Sequence, residues 1–234
     1  MFSVKQSTCD YINLIVTHEC NKKCLFCVDS YRDKIGMIAL ETVKASLSYA
    51  KEKNIKDVLI VGGEPTLHPE IISIANLVKD FGFRAILTTN YTKPETVKKL
   101  DGIIDCFNIS FYCQQNLPKQ SEYKSDLTLH ALIHKKQLSS QEKLDNFIDS
   151  HRENGHLKFS TLVACNTWAA EHQNVEYLDS LDCEWVVLFN ELLGQLYRGA
   201  VIKRYDRIIN NKAHQSFKIH PDGQIVPYWI LKET

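Results

Sequence analysis

Thr17-His-Glu-Cys-Asn-Lys-Lys-Cys-Leu-Phe-Cys27 decides how the rest of the chain is read. Its three cysteines, Cys20, Cys24 and Cys27, form a CxxxCxxC array. Thiols this close in sequence converge on one small centre, because the spacing is too tight and the number too odd for a disulfide frame. An iron–sulfur cluster is normally held by four Cys thiolates, so three protein ligands leave one iron open to another molecule. The alternative is a zinc site with His18 as fourth ligand. Zinc favours paired motifs such as CxxC…CxxC, and no second pair follows here.

Working outward from the array, Ile12, Leu14 and Val16 alternate into it and predict a buried strand over 11–17, mildly interrupted by Asn13 and Thr17. Leu40, Val43, Leu47 and Ala50 place a helix over 38–52. A short apolar strand, Asp57 to Val61, is closed by Gly62-Gly63. Pro69 opens the next helix, whose buried face is Ile71, Ile74, Ala75 and Val78. A third strand covers 83–88, Pro94 starts a helix of about two turns, and a fourth strand covers 104–111. Strands alternating with helices predict a parallel sheet, whose ligand loops lie at the strands' C-terminal ends.

After a polar loop over 114–125, Leu127, Leu129, Ala131 and Ile133 predict an extra strand, or a short helix. Ser139 and Glu142 read as a capping box for a helix carrying Leu144, Phe147, Ile148 and His151. A strand over 157–164, a weak helix over 174–181 and a last strand of the alternating series over 184–189 follow. From Tyr197 the pattern changes: 201–209 and 216–226 read as an antiparallel ribbon turning at Pro221-Asp222-Gly223. The expected fold class is therefore α/β: a partial (β/α)6 barrel of parallel strands with a C-terminal β-hairpin extension. The chain reads as one domain over 1–234, with its core over 11–190 and its ribbon over 197–230.

Composition bounds the partners. The 28 basic residues balance the 28 acidic ones, so no charge excess favours nucleic acid or an anionic membrane. The first residues, Met-Phe-Ser-Val-Lys-Gln-Ser-Thr, contain no apolar core of signal-peptide length, and no apolar run approaches a membrane span. Eight cysteines without a signal peptide predict a reducing, cytoplasmic setting, where thiols serve as ligands or catalysts.

Gly62-Gly63-Glu64-Pro65 follows the second strand. Two glycines allow close backbone approach to a ligand, and the Glu64 carboxylate can pair with an ammonium. Read alone, a plain turn with a surface glutamate is the better account. Read beside the three-cysteine loop, with Phe26 directly before the third cysteine, the pattern resembles the radical S-adenosylmethionine (radical SAM) superfamily.

That resemblance implies a [4Fe–4S] cluster on Cys20, Cys24 and Cys27. Its open iron binds the amino and carboxyl groups of SAM, and a flavodoxin- or ferredoxin-type donor supplies the electron. SAM is cleaved to a 5′-deoxyadenosyl radical, which abstracts hydrogen from a peptide or small-metabolite substrate. The resemblance assigns Gly62, Gly63, Glu64 and Pro65 to the methionine amino group. It places Thr88, Thr89 and Asn90 near the methionine and cluster, Ser110 at the ribose and Phe26 near the adenine. Backbone near Val163 and Asn190 completes the adenine contacts. The alternatives are an activating enzyme that makes a glycyl radical on a partner protein, and a non-catalytic metal-binding or redox-sensing domain. A sensor has no need of the Gly62–Pro65 motif.

Of the remaining cysteines, Cys106 and Cys183 read as small buried hydrophobes. Cys113 and Cys165 follow strands four and five and should face the mouth of the barrel. There a thiol either donates a hydrogen atom to a substrate radical or simply packs. The stretch His220 to Tyr228 is similar to the opening of the SPASM or twitch extensions. Tyr228 stands in the cysteine position of their DGxVxPC motif, so no auxiliary cluster is expected. His130, His134, His151 and His156 share no evident face and read as solvated.

Overall fold

A computed structural model describes residues 11–28, 36–111, 116–163, 165–173, 175–187, 193–205 and 217–226. The strands are β1 (Tyr11–Thr17), β2 (Asp57–Gly62), β3 (Arg84–Thr89), β4 (Cys106–Ser110), β5 (Asp126–Ile133) and β6 (His156–Thr161). They continue with β7 (Glu184–Val187), β8 (Leu193–Tyr197), β9 (Ala200–Lys203), β10 (Phe217–Ile219) and β11 (Ile225–Val226). The helices are α1 (Leu40–Glu52), α2 (Ile71–Asp80), α3 (Pro94–Leu100), α4 (Gln141–Ser150) and α5 (Thr167–His172).

Among the described residues, all strands join one 11-stranded sheet in the order β11-β10-β1-β2-β3-β4-β5-β6-β9-β8-β7. Every pairing from β10 through β1 to β6 and β9 is parallel, and the strands beyond them at both edges are antiparallel. The sheet is open, a partial barrel.

The two faces follow from the strand period of two. On the outer face Ile12, Leu14, Val58, Ile60, Leu87, Phe107, Leu129 and Phe159 pack with Val43 and Leu47 of α1, Ile74 and Val78 of α2, and Leu144 of α4. Burying each such side chain contributes about 1.5–3 kcal/mol. The alternate residues of β4, β5, β6 and β9 include Asn108, Thr128, His130, Lys158, Ser160 and Lys203, so the inner face is polar. Polar contacts across it confirm the alternation: Cys106 Sγ lies 3.7 Å from Thr128 Oγ1, and His130 Nε2 lies 2.8 Å from Ser160 Oγ.

The N-terminal edge of the sheet is tied by carboxylates. Asp105 accepts from Lys79 Nζ at 2.6 Å and from the Ala85 N–H at 2.7 Å. Asp101 accepts from the Lys124 and Ser125 N–H groups, each at 2.9 Å. Burial alone would raise the Asp101 carboxyl, but the hydrogen bonds from Ser125 and Lys124 outweigh it and hold the group below its ordinary value. This edge secures the fold and leaves the opposite edge for chemistry.

Several expectations change. The extra strand over 127–133 is a full parallel member, β5, between β4 and β6. The stretch at 184 is not the next parallel strand: β7 lies at the sheet edge, antiparallel to β8. The ribbon over 201–209 and 216–226 is divided between distant parts of the sheet. Its first part, β9, pairs parallel with β6, while β10 pairs parallel with β1. The turn itself stands, with the Gly223 N–H donating to the His220 carbonyl at 2.8 Å inside the β10–β11 hairpin. The α4 cap is Ser140 rather than Ser139: Ser140 Oγ accepts from the Lys143 N–H at 3.4 Å. No helix among the described residues is long and apolar enough to cross a membrane.

Candidate functional site

The cysteine loop leaves the C-terminal end of β1, and its first half is clamped by the end of β2. The Gly63 N–H donates to the Thr17 carbonyl and the Glu64 N–H to the Glu19 carbonyl, both at 2.8 Å. This contact explains the paired glycines. A Cβ on Gly62 (φ 148°) would lie 2.2 Å from the Thr17 carbonyl oxygen, and one on Gly63 would lie 2.1 Å from that of Glu19. Both obstacles are backbone and cannot swing away. The close approach that the two glycines allow in this structure is to the backbone of the cysteine loop. Gly63→Ala should therefore displace the loop, costing about 1–3 kcal/mol or more as overpacking. A lower melting temperature together with fewer irons per chain checks this; an unchanged melting temperature would refute it.

Glu64 is 1% exposed. Its Oε1 accepts from the Thr66 N–H at 3.1 Å, Thr66 Oγ1 at 2.6 Å and Thr89 Oγ1 at 2.7 Å. Its Oε2 accepts from the Asn90 N–H at 2.7 Å. The carboxylate thus joins the end of β2 to the end of β3. Asn90 carries the connection into the cysteine loop, donating from Nδ2 to Asn21 Oδ1 at 2.9 Å and lying 4.0 Å from Cys20 Sγ. Asn21 in turn donates to Thr92 Oγ1 at 2.7 Å.

The far end of the loop is held from the other side of the sheet. Asn166 Nδ2 donates to the Leu25 carbonyl at 2.8 Å, and Cys165 Sγ donates to the Phe26 carbonyl at 3.7 Å. Leu162, Cys165 and Ala169 form a small separate core against which Phe26, Val28, Leu132 and Trp168 pack. Phe26 also meets Trp168 and His134, with ring centroids 6.2 and 6.3 Å apart. Burial, followed by the charges near it on His172 and Lys136, pushes the His134 imidazole down from its ordinary value. The β10–β11 hairpin reaches the same loop, since the His220 ring lies 5.7 Å from that of His18.

The structure therefore joins Glu64, Thr89 and Asn90 by direct hydrogen bonds, sets Asn90 Nδ2 beside Cys20 Sγ, and holds Gly62 and Gly63 against the cysteine loop. Pro65 opens a buried one-turn helix directly after Glu64. Thr88 lies on the inner face of β3, half-buried, and Ser110 ends β4. Val163 follows the end of β6, its carbonyl accepting from the Cys165 N–H at 2.8 Å. Cys165, expected at the mouth, is 1% exposed, with its sulfur turned onto the loop. Cys113 and Asn190, and Tyr228 in the tail, lie outside the described residues.

Of the four histidines expected in solvent, His156 is exposed and the other three are placed otherwise. His134 is buried, His130 bonds Ser160 across the inner face, and His151 stacks on Phe147 with centroids 4.0 Å apart. The sequence reading also missed Asn21, Thr66 and Asn166. Asn166 carried a usable signal, an N-cap pattern before α5: its side chain accepts from the Ala169 N–H at 2.7 Å.

The donor set fits a cubane cluster with one iron left open. The cysteines share one loop, with Cys20 exposed and Cys24 and Cys27 half-buried. The Lys22 N–H points at Cys20 Sγ at 3.4 Å, the kind of contact that tunes such centres. Among the described residues no three His, Cys, Asp or Glu side chains stand together as a site for a single metal ion. A cubane instead distributes its thiolates over separate irons.

Comparison with known proteins agrees with this geometry. A family profile described as the radical SAM superfamily matches residues 14–148. A GTP 3′,8-cyclase of Sulfurovum sp. is 31% identical over 111 residues, which are 44% of this chain and 34% of that protein. An S-adenosylmethionine-dependent nucleotide dehydratase of a Thermoplasmatales archaeon is 28% identical over 100 residues, 42% of this chain and 36% of that protein. These matches span about a third of the length of the curated relatives. Among solved structures, Streptococcus suis SuiB bound to S-adenosylmethionine superposes with a TM-score of 0.65 at 17% identity, over 96% of this chain and 62% of that one. SuiB bound to its precursor peptide SuiA gives 0.62 at 16% identity, over 93% of this chain and 59% of that one.

Proposed function

We propose, from the premise that this chain belongs to the radical SAM superfamily, that it abstracts a hydrogen atom from a small-molecule substrate lying over the inner face of the half-barrel. The chain is a radical SAM enzyme whose cofactors are a [4Fe–4S] cluster and S-adenosylmethionine, and it draws on an external reductant. When bound, the reduced cluster supplies the electron that cleaves SAM to a 5′-deoxyadenosyl radical. The protein's own part is positioning and exclusion of water.

In this reading Cys20, Cys24 and Cys27 hold three of the irons. Glu64 and the Asn90 backbone shape the corner that receives the methionine amino group, with Thr88 and Thr89 beside it. Ser110 meets the ribose, while Phe26, Val163 and Asn190 border the adenine. Cys165 acts by packing under the loop, because its sulfur is buried against Phe26. The electron donor is a flavodoxin- or ferredoxin-type protein.

The observation that carries the reading is the cysteine loop itself, clamped by Gly63 and Glu64 at one end and by Asn166 at the other. A small substrate is favoured because two relatives are named for nucleotide reactions, whereas the likeness to SuiB is one of fold.

The test is anaerobic turnover of the reconstituted, dithionite-reduced protein. It should form 5′-deoxyadenosine from SAM. Against a panel of perdeuterated nucleotides and other metabolites, the true substrate should transfer deuterium into that 5′-deoxyadenosine. No SAM cleavage by protein carrying a full cluster would defeat the proposal.

A further inference from the structure

The last turn of the cysteine loop carries a side chain that the cofactor site does not use. The Cys27 N–H donates to the Cys24 carbonyl at 3.2 Å, so Cys24-Leu-Phe-Cys27 closes on itself. Its two central side chains go opposite ways. Phe26 packs inward on Trp168 and His134. Leu25 is 64% exposed, against 40% for Trp185 and Leu196, the next most exposed large apolar residues among those described. A lone exposed leucine is ordinary on a protein surface. This one is fixed in direction, because Asn166 Nδ2 holds its carbonyl at 2.8 Å. It also stands one residue, about 3.8 Å from Cα to Cα, from Cys24.

Lysines flank this turn. Lys22 and Lys23 precede Leu25 in the loop, and both are exposed. Lys135 and Lys136 are exposed on the turn that follows β5. That turn reaches the loop through the contact of His134 with Phe26, and it reaches α5 through the Lys135 N–H, which donates to the His172 carbonyl at 3.1 Å. Among the described residues none of these four lysines has an ion-pair partner. Glu19 and Glu171, the exposed carboxylates of the loop and of α5, pair with none of them. Elsewhere exposed basic groups do meet carboxylates: Lys119 with Glu153, Arg84 with Asp57 and Arg152 with Asp149. The chain as a whole is balanced, with 28 basic and 28 acidic residues, so an unpaired basic rim here is a local asymmetry. An apolar centre inside a charged rim is the anatomy of a protein–protein contact.

We infer that Leu25, rimmed by Lys22, Lys23, Lys135 and Lys136, is the face on which an acidic one-electron carrier protein docks to deliver the electron for SAM cleavage. The assignment places the partner of the proposed enzyme and so rests on that reading. A carrier seated over Leu25 stands the thickness of one turn from Cys24 and Cys27, the shortest approach to a cluster held by this loop. One electron passes, oxidising the carrier and reducing the cluster, and no bond forms or breaks. Electron-transfer encounters are small, below about 1,200 Å², and opposite charges speed them, which suits one leucine and four lysines. A second copy of this chain is disfavoured as occupant, because a two-fold contact would set lysine against lysine.

Rapid mixing of the anaerobically reconstituted, oxidised protein with a reduced acidic flavodoxin tests it, followed by the loss of cluster absorbance and without turnover. The second-order rate should fall about 10-fold or more between about 0.05 M and about 0.5 M salt, as the opposite charges are screened. Lys22→Glu with Lys23→Glu, and Lys135→Glu with Lys136→Glu, should each slow reduction about 10-fold or more at the lower salt. Leu25→Ser should slow it at both. Lys56→Glu, at the opposite edge of the sheet, should change nothing. Photoreduced 5-deazaflavin, a small molecule that needs no docking face, should reduce all of these proteins alike, with unchanged iron content and melting temperature. Charge-reversed proteins that flavodoxin reduces as fast as the parent overturn the assignment. So does equally slow reduction of them by deazaflavin, which would make the lysines part of the cluster's own setting. Self-association of the parent that Leu25→Ser abolishes would give the face to a second copy and overturn it too. Lysine-dependent reduction of a protein that never cleaves SAM would sink the proposed reaction and leave this face standing; SAM cleavage under deazaflavin, with a flavodoxin rate blind to the lysines, would do the reverse.

Discussion

Replacing Cys20, Cys24 and Cys27 together with alanine is expected to abolish iron binding and 5′-deoxyadenosine formation while leaving the fold intact. The three side chains are exposed or half-buried and lie in a loop, so their loss removes little packing. Surface changes of this kind usually move stability within about 0.5 kcal/mol. The loop stays anchored without them, since Gly63, Glu64 and Asn166 hold its backbone carbonyls and Asn90 holds the Asn21 side chain. The parent should bind about four irons per chain and the variant none. A triple variant that still cleaves SAM under dithionite would remove the cysteines from the chemistry. About one zinc per chain, lost on replacing the same cysteines, would revive the mononuclear reading with His18. About eight irons would place a second cluster in the tail.

Much of this site was legible because its determinants are local. The three cysteines lie within one loop, and the βα alternation from β1 to β4 places that loop, Glu64 and Asn90 at one edge of a parallel sheet. What the sequence could not display is pairing at long range. The segments at 201 and 216 both have strand composition, and an antiparallel ribbon was the nearest local solution. Their actual partners, β6 and β1, lie far away along the chain, and nothing in a short strand names a distant parallel neighbour.

The polar inner face was hidden for a related reason. His130, Lys158 and Lys203 are scattered along the sequence, and only register sets them side by side. The period of two was nevertheless visible: Leu127, Leu129, Ala131 and Ile133 fixed the outer face of β5, which leaves Thr128 and His130 on the inner one. The glycine pair says in sequence that a backbone must come close without saying to what, and the structure puts the cysteine loop against it.

Glu64→Gln should lower both SAM affinity and stability, and the joint effect separates this glutamate from a simple ligand contact. An ionised carboxylate offers about four acceptor positions. Among the described residues, Oε1 takes the Thr66 N–H and two hydroxyls, and Oε2 takes the Asn90 N–H alone. The room left on Oε2 is what an incoming ammonium would use. Glutamine cannot reproduce this arrangement in either orientation. If its NH2 replaces Oε1, the buried Thr66 N–H loses its acceptor; if it replaces Oε2, the Asn90 N–H does. Hydroxyls can rotate away from a new donor, but a backbone N–H cannot. One orphaned N–H costs about 1–3 kcal/mol, and losing the charge-assisted contact should weaken SAM binding about 10- to 100-fold. Thermal unfolding and calorimetry on the same preparation read the two effects. A lowered melting temperature with normal SAM affinity would leave Glu64 as a tie between β2 and β3 and nothing more. A weakened affinity at an unchanged melting temperature would mean that the network drawn around the carboxylate contributes nothing to the fold.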